Sequence, residues 1–219
     1  MNRYTYLFPL LLLYGTMVQA QLDEFSVMGL PTATAVEITA ITAASQGALA
    51  YASDENRLYL FDGTSWNVMV RQSDPNVYSG FFIVSATGNV TVSGIPFQPR
   101  NITFIAHANV ERINLNSDNA TRNNESGLPN SFGTSNGFAR DDSGSITQQN
   151  IYIGGSGNSI NDISRFASSS HCVGIRYGNQ NGDNLGETTV ALTAFNSDGF
   201  TVNVDSFADG LVVLFTAYN

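Results

Sequence analysis

The sequence predicts an all-β protein, a β-sandwich of jelly-roll type preceded by a small β-hairpin module. Residues 200–205 alternate between apolar and polar side chains, which is typical of a strand with one face on a core. Residues 211–215 are apolar without alternation, and this pattern predicts a central strand buried on both faces. Asp-Gly pairs at 198–199 and 209–210 predict hairpin turns, because these residues tolerate positive φ. We therefore expect residues 190–218 to form three strands around which the rest of the chain is built.

The N-terminal segment has the pattern of a secretory signal peptide, residues 1–20. Arg3 is followed by an apolar run at 7–13, and Val18 and Ala20 are the small residues that signal peptidase prefers. The run is shorter than the ~20 residues of a spanning helix, and no second run reaches that length. We expect a mature chain that begins at Gln21, has no membrane span, and is secreted or held at the cell surface. An uncleaved N-terminal anchor is the alternative.

Residues 21–77 are expected to form the hairpin module and a linker. Residues 48–52 and 57–61 read as two short strands around a polar turn, with Trp66 covering one face of the ribbon. Residues 30–47 are ambiguous between a short helix and extended chain, and their β-branched side chains favour extended or irregular structure. Pro75 and its polar neighbours indicate a linker before residue 78.

The run from Gly47 to Trp66, GALAYASDENRLYLFDGTSW, carries a family resemblance. It resembles the G-x-L-x-Y … N-x-L-Y-x-x-D-G-x-x-W module of phage tail-fibre proteins and of secreted surface proteins of the Bacteroidetes. In fibres such modules precede a distal head domain and often trimerise. The resemblance therefore implies a stalk or collar role for residues 31–70 and a homotrimer.

Residues 78–219 are expected to form the sandwich. Pro96 and Pro99 exclude a central strand between two strand patterns and predict a bend at a sheet corner. Residues 114–145 are so polar that we expect a long loop or a pair of loops there. Strands are predicted at 81–84, 89–93, 102–106, 151–153 and 172–177, and a second polar loop at 179–187.

A second resemblance covers most of this region. GIPFQPRNITFIA at 94–106, GFAR at 137–140, DGFTVNV at 198–204 and DGLVVLFTAY at 209–218 are similar to the head domain of tail-fibre and virion proteins. The resemblance implies a jelly-roll sandwich.

Charge and cysteine content exclude some classes of function. The formal net charge is −9 and every basic side chain is an arginine, so nucleic acid and anionic membrane surfaces are not expected partners. Cys172 is the only cysteine, so the chain can form no internal disulfide.

Catalytic groups are scarce, and we predict that the protein is not an enzyme. The only histidines are His107 and His171. His171 and Cys172 are neighbours in sequence, and neighbours in a strand point to opposite faces. A pairing of Cys172 with His107 across the sheet leaves a cysteine hydrolase as the alternative. The sequence has no G-x-S-x-G, H-E-x-x-H or phosphate-binding loop motif.

The polar loop at 179–187 supplies the candidate sites. Calcium, the one cofactor considered, would be held by oxygens at alternating spacing around Gly182: Asn179, Asn181, Asp183 and Glu187. The spacing of an EF-hand is absent, so the alternative is a solvated Asx-rich turn. A ligand such as a glycan would need aromatic and amide groups displayed together, and one cluster offers Tyr177, Asn179, Asn181 and Asn184. Another cluster offers Arg122, Asn123, Asn124, Phe138 and Arg140.

Together these observations predict an exported, non-enzymatic structural or adhesive protein that presents a β-sandwich outside the cell. A cell-surface glycan or another surface protein would be its partner. A virion fibre or decoration protein is the first alternative, and a secreted lectin-like module or a hydrolase is the second.

Overall fold

The computed structural model describes residues 28–111, 128 and 130–219, with the backbone alone at 159–161. Outside the described residues lie the predicted signal peptide (1–20) and the seven residues that follow it (21–27). Arg122, Asn123 and Asn124 of the second cluster also lie outside them. The chain divides into two compact units between Gln72 and Ser73, within the stretch that the sequence predicts to be a linker. No helix among the described residues has the length and apolar character needed to cross a membrane.

The first unit contains a short helix and a small sheet. Its described elements are β1 (Thr32–Ala33), α1 (Ala35–Thr39), β2 (Leu49–Ala52), β3 (Arg57–Phe61) and β4 (Trp66–Val68). The strands lie in the order β1-β2-β3-β4, with β1 parallel to β2 and the other pairs antiparallel. The predicted hairpin is therefore confirmed as β2 and β3.

The expectation of extended or irregular structure at 30–47 is wrong for α1. Thr34 and Glu37 form a capping box in which each side chain bonds the backbone N–H of the other residue. The box satisfies N–H groups that a helix start leaves without partners, and the helix then buries Ala35 and Ile38.

Trp66 covers one face of the hairpin, as the sequence predicts. It packs against a small core that contains Ile38 and Tyr59, its ring lies 5.3 Å from that of Phe61, and its Nε1 donates to the Ile41 carbonyl at 2.9 Å. The turn before it is held by Asp62, whose carboxylate accepts two backbone N–H groups. These bonds lower the pKa of Asp62 to about 2.

The second unit is a two-sheet sandwich. Its described strands are β5 (Val77–Val84), β6 (Gly88–Val92), β7 (Asn101–His107), β8 (Ser131–Asp142), β9 (Ser145–Ser156), β10 (Ser159–Ser168), β11 (Val173–Gly178), β12 (Asn184–Asn196), β13 (Gly199–Ser206) and β14 (Leu211–Tyr218). One sheet has the order β10-β9-β8-β7-β14-β5 and the other β11-β12-β13-β6.

These two sheets enclose one core, so the predicted all-β sandwich is confirmed. The chain changes sheet at β5–β6–β7, β10–β11 and β13–β14. Between those points β7 to β10 and β11 to β13 run as meanders, each within one sheet. The chain thus passes between the sheets at the two ends of this unit and once in its middle, at β10–β11.

The predicted bend between residues 94 and 100 is confirmed. β6 and β7 lie in different sheets, and the segment that crosses between them buries Ile95 and Phe97 in the core. The prolines remove backbone donors only where no strand needs them.

The three C-terminal strands form where the sequence predicts them, with two corrections. The pair Asp209-Gly210 joins strands of different sheets and is not a hairpin. Neither Gly199 nor Gly210 has a φ in the left-handed region. Gly199 is needed for space instead, because a Cβ there would overlap the carbonyl oxygen of Val92 on β6.

β14 is central, as predicted, but it is not buried on both faces. It lies between β7 and β5, and alternate residues such as Val213 and Phe215 face the core. Leu214 points the other way and is 49% exposed. The uninterrupted apolar pattern therefore reflects an outer surface that is apolar, not a second core.

Two strands, β8 and β10, fall in stretches where the sequence predicts polar loops or spacers. The loop prediction for 114–145 is wrong from residue 131 onward. In β8 every residue that faces the core is small: Ser131, Gly133, Ser135, Gly137 and Ala139. A strand whose core-facing side chains are serine, glycine and alanine has no apolar alternation to reveal it.

Those small residues allow the second sheet to approach closely at β11. Gly174 of β11 donates its N–H to Ser135 Oγ at 3.2 Å, and Ser164 of β10 donates its hydroxyl to the Arg176 carbonyl. A Cβ on Gly137 would overlap the Cys172 carbonyl oxygen, and one on Gly174 would overlap the Phe166 ring. We call Ser135, Gly137, Ser164 and Gly174 the serine–glycine seam.

The seam predicts a difference between two glycine substitutions. Gly137→Ala should lower the free energy of unfolding by about 1–3 kcal/mol, because the added Cβ meets backbone oxygens of Cys172 and of Gln149 that cannot move independently. Gly157→Ala is the control, since its Cβ would have no neighbour closer than 3.6 Å. Urea denaturation measures both, and equal stability of the two variants would contradict the seam.

Candidate functional site

The predicted ligand loop is a turn between β11 and β12 that its own side chains hold together. Asn179 Oδ1 accepts the N–H groups of Asn181 and Asp183 at 2.9 and 3.0 Å, and Asn179 Nδ2 donates to Asp183 Oδ2 at 2.9 Å. This is the Asx-rich turn that the sequence left as the alternative. Asn181 and Asn184 remain exposed, so both could contact a ligand.

For calcium, the loop brings together only part of the predicted set. Asn179 and Asp183 are bonded to one another, while Glu187 lies on β12 opposite Arg176 of β11. The Arg176 guanidinium donates to the Gly182 carbonyl at 3.3 Å, which places a positive charge beside the loop. Within the described ranges no three His, Cys, Asp or Glu residues are grouped to hold a metal ion. Calcium at this loop stays a prediction.

Tyr177 is not displayed on the loop, so its predicted place in the ligand cluster is wrong. It belongs to β11, points into the core and is fully buried. Burial raises its pKa, which the neighbouring Thr188 hydroxyl opposes in part. Among the described residues its hydroxyl has no hydrogen-bond partner. The alternation of β11 explains the difference, because Val173, Ile175 and Tyr177 share its inward face.

The structure separates the predicted Cys172 and His107 pair. His107 lies on the outward face of β7, bonded to Thr134 at 3.0 Å. Cys172 is fully buried, its thiol donates to the Val190 carbonyl at 3.4 Å, and burial raises its pKa to about 12. The two cannot act together as nucleophile and base.

His171 instead joins a polar array that the sequence analysis missed. Its Nε2 lies 2.8 Å from Asp205 Oδ2 of β13, and its Nδ1 lies 2.7 Å from Ser168 Oγ at the end of β10. A carboxylate only accepts, so Nε2 carries a proton, and in the neutral ring Nδ1 accepts from the serine. Thr189 donates to the other carboxylate oxygen at 2.6 Å. Asp205 could not be assigned to this array from sequence, because only strand pairing brings β13 to the β10–β11 connection.

Ser168, His171 and Asp205 are the residue types of a hydrolytic triad, but their hydrogen bonds hold chain segments together. We call these three residues the clamp. Ser168 Oγ also accepts the Ser170 N–H at 3.1 Å, which makes it part of the turn that His171 ends. The Phe166 ring packs edge-on against the His171 ring at 6.2 Å. The array therefore ties the connection between the two sheets to β13.

A shallow depression of about 280 Å³ lies nearby, between β9 and β10. Its lining residues are Gln149, Asn150, Ile151, Ala167, Ser168 and Ser169. Ile151 and Ala167 are paired in register on the outward side of the sheet, away from the core.

The depression is part of a larger apolar surface on the outer side of the six-stranded sheet. We call this surface the outer face. Eight large apolar side chains on this face are between 42% and 66% exposed: Phe81, Ile83, Ile105, Phe132, Ile151, Ile153, Ile163 and Leu214. Leu214 is the register partner of both Phe81 and Ile105, so these apolar positions are continuous across three strands.

Comparisons with protein-family models, with curated proteins and with solved structures found no match for this chain.

The clamp predicts a pH effect on stability. Burial would raise the pKa of Asp205, but the bonds from Thr189 and His171 outweigh it and lower the pKa below its ordinary value. Stability from this carboxylate is therefore present above its unfolded pKa of about 4 and is lost as pH falls through the lower folded value. Asp205→Asn should show a flatter dependence of the unfolding free energy on pH, below about pH 5, than the wild type.

The matched control is Asp162→Asn, an exposed position on β10. It should keep the wild-type dependence on pH. An Asp205→Asn curve that runs parallel to the wild type would contradict the clamp.

Proposed function

We propose that this chain is an exported, non-enzymatic structural or adhesive protein that presents its sandwich outside the cell as a homo-oligomer. A trimer is the assembly that the resemblance to fibre proteins implies. A virion fibre or decoration protein remains the alternative for the same kind of role. Either role depends on contact between surfaces and not on turnover of a small substrate.

One observation carries this proposal: the places of the only cysteine and the only two histidines. Cys172 is buried with a raised pKa, so its thiol is neither ionised at neutral pH nor accessible. His107 bonds a threonine on an open sheet face, and His171 is held between Ser168 and Asp205. The groups best suited to nucleophilic or acid–base chemistry thus have structural partners, which supports binding or assembly as the role.

The exposed loop between β11 and β12 supports an adhesive role. Its amide side chains at Asn181 and Asn184 face solvent, and the hydrogen bonds of Asn179 fix the loop that carries them. Amide groups on a fixed loop suit hydrogen bonding to the hydroxyls of a glycan or to the backbone of another surface protein. We propose that one of these is the partner.

Export is tested by expression of the full chain in a bacterium with a secretory pathway. The protein should leave the cytoplasm and begin at Gln21 by mass spectrometry, because residues 1–20 carry the features that signal peptidase reads. Leu11→Arg, which interrupts the apolar run, is the control and should keep the chain inside with its N-terminus intact. Wild-type protein that stays cytoplasmic and unprocessed would overturn the exported role.

The Ser168 array favours hydrolysis as a second candidate function, and nucleophile labelling separates the two. A fluorophosphonate should leave folded protein unlabelled, because Ser168 Oγ is held within its turn. A thiol reagent should label Cys172 only after unfolding, because the sulfur is fully buried. Stoichiometric labelling of Ser168 that is lost in His171→Ala would reject the non-enzymatic proposal and establish a hydrolase.

A further inference from the structure

We infer that the outer face of the six-stranded sheet binds a second copy of this chain. The inference rests on the proposed homo-oligomer and adds to it the surface through which copies meet. Its basis is the polarity of three strands, β8 to β10, together with the extent and the charge of the whole face.

In β8 to β10 the usual distribution of side chains is altered on both sides. Several positions that face the second sheet carry small or polar residues, among them Ser135, Asn150 and Ser164, each no more than 3% exposed, although Tyr152 and Phe166 also pack in the core. The positions that face outward include Ile151 and Ile153, which are 66% and 62% exposed. An antiparallel sheet with one face in water normally places apolar residues inward and polar residues outward. The outward side of these strands therefore exposes large apolar side chains that such a sheet normally buries.

The extent of the outer face fits an interface. It carries eight large apolar side chains, each about half exposed. At about 200 Å² for each of the two phenylalanines and about 100 Å² for each isoleucine or leucine, they expose on the order of 500 Å² of apolar surface. The largest apolar patch on a typical monomer is roughly 300–600 Å², while one side of a standard interface covers about 800 Å².

Charge identifies a second copy as the occupant. The chain carries a net charge of −9, so most of its surface repels another copy. On the outer face most side chains between the apolar residues are neutral, such as Thr103, Thr134 and Gln149, and the charge opposite Ile153 is that of Arg165, which is positive. The carboxylate at its margin, Asp142, is paired with Arg140 at 2.9 Å. Two copies can approach through this face without bringing unpaired carboxylates together.

The usual geometry of face-to-face sheet packing makes the contact feasible. Two sheets pack face to face when apolar side chains of each fill the space between them, about 10 Å across. The row of register partners Phe81, Leu214 and Ile105 provides such side chains on β5, β14 and β7, and Ile151 continues it on β9 through Asn136. The contact would cover the strands whose outward side is most apolar.

The test is the solution mass of the purified exported chain, measured by light scattering and by sedimentation over a range of concentrations. The wild type should be an oligomer of identical chains. Ile151→Glu should raise the dissociation constant at least about tenfold, because it places a charge in the contact. Leu185→Glu is the matched control, because Leu185 is also an exposed apolar residue but lies on β12 of the other sheet. The control should keep the wild-type mass.

Ile153→Thr is a second variant, which keeps a β-branched side chain and adds no charge. If it associates more weakly while its melting curve is unchanged, misfolding is excluded as the cause. A monomeric wild type at concentrations of about 100 μM, or equal loss of mass in the Leu185→Glu control, would overturn the inference. A monomeric wild type would also remove the homo-oligomer from the proposed function. An oligomeric wild type whose mass Ile151→Glu leaves unchanged would overturn this interface alone, so the two failures are distinguishable.

Discussion

The close approach of the two sheets at the serine–glycine seam is the constraint on which the sandwich depends. β11 is an edge strand, and its outward backbone groups would be left without strand partners. Serines of the opposite sheet satisfy them: Ser135 accepts from Gly174, and Ser164 donates to Arg176. This closure works only because Gly137 and Gly174 carry no side chain where the backbones meet. One side of the sandwich is thus joined by hydrogen bonds between the sheets in addition to the apolar packing of residues such as Ile175 and Tyr177.

The other side of the sandwich is an ordinary aromatic core. Phe82, Phe104, Phe200 and Phe215 meet edge to face at ring distances of 5.0–6.4 Å, and they come from both sheets. The division has a consequence for the surface. The apolar outer face lies behind both parts, and its most exposed isoleucines, Ile151, Ile153 and Ile163, belong to β9 and β10. The seam serines of β8 and β10 face the interior side of the same part of the sheet.

The same division determines what could be predicted from the sequence. β13 and the hairpin of β2 and β3 follow apolar patterns with clear turns, and both were predicted. β8 was missed because serine, glycine and alanine face its core, and the inward residues of β10 include Ser164 and Ser168. α1 was missed because its start depends on a capping box, while the β-branched residues around it favour extended structure. The clamp of Ser168, His171 and Asp205 depends on strand pairing, which no single-sequence pattern supplies.

The position of Tyr177 shows how the candidate site in the structure differs from the site predicted from the sequence. In sequence it borders an Asn-rich loop, yet the alternation of β11 turns it into the core while Asn181 and Asn184 stay in solvent. What remains for function is surface: an amide-bearing loop at one end of the larger unit and an apolar sheet face along it. Both features suit a protein that acts by contact with other molecules.

Amide hydrogen exchange at Gly174 tests the seam most directly. In the wild type this amide should be as protected as the amides of β11 that bond to β12, because Ser135 accepts it. Ser135→Ala should accelerate exchange at Gly174 while leaving the amides of the aromatic core slow. Rapid exchange at Gly174 in the wild type, or no response to Ser135→Ala, would contradict the account.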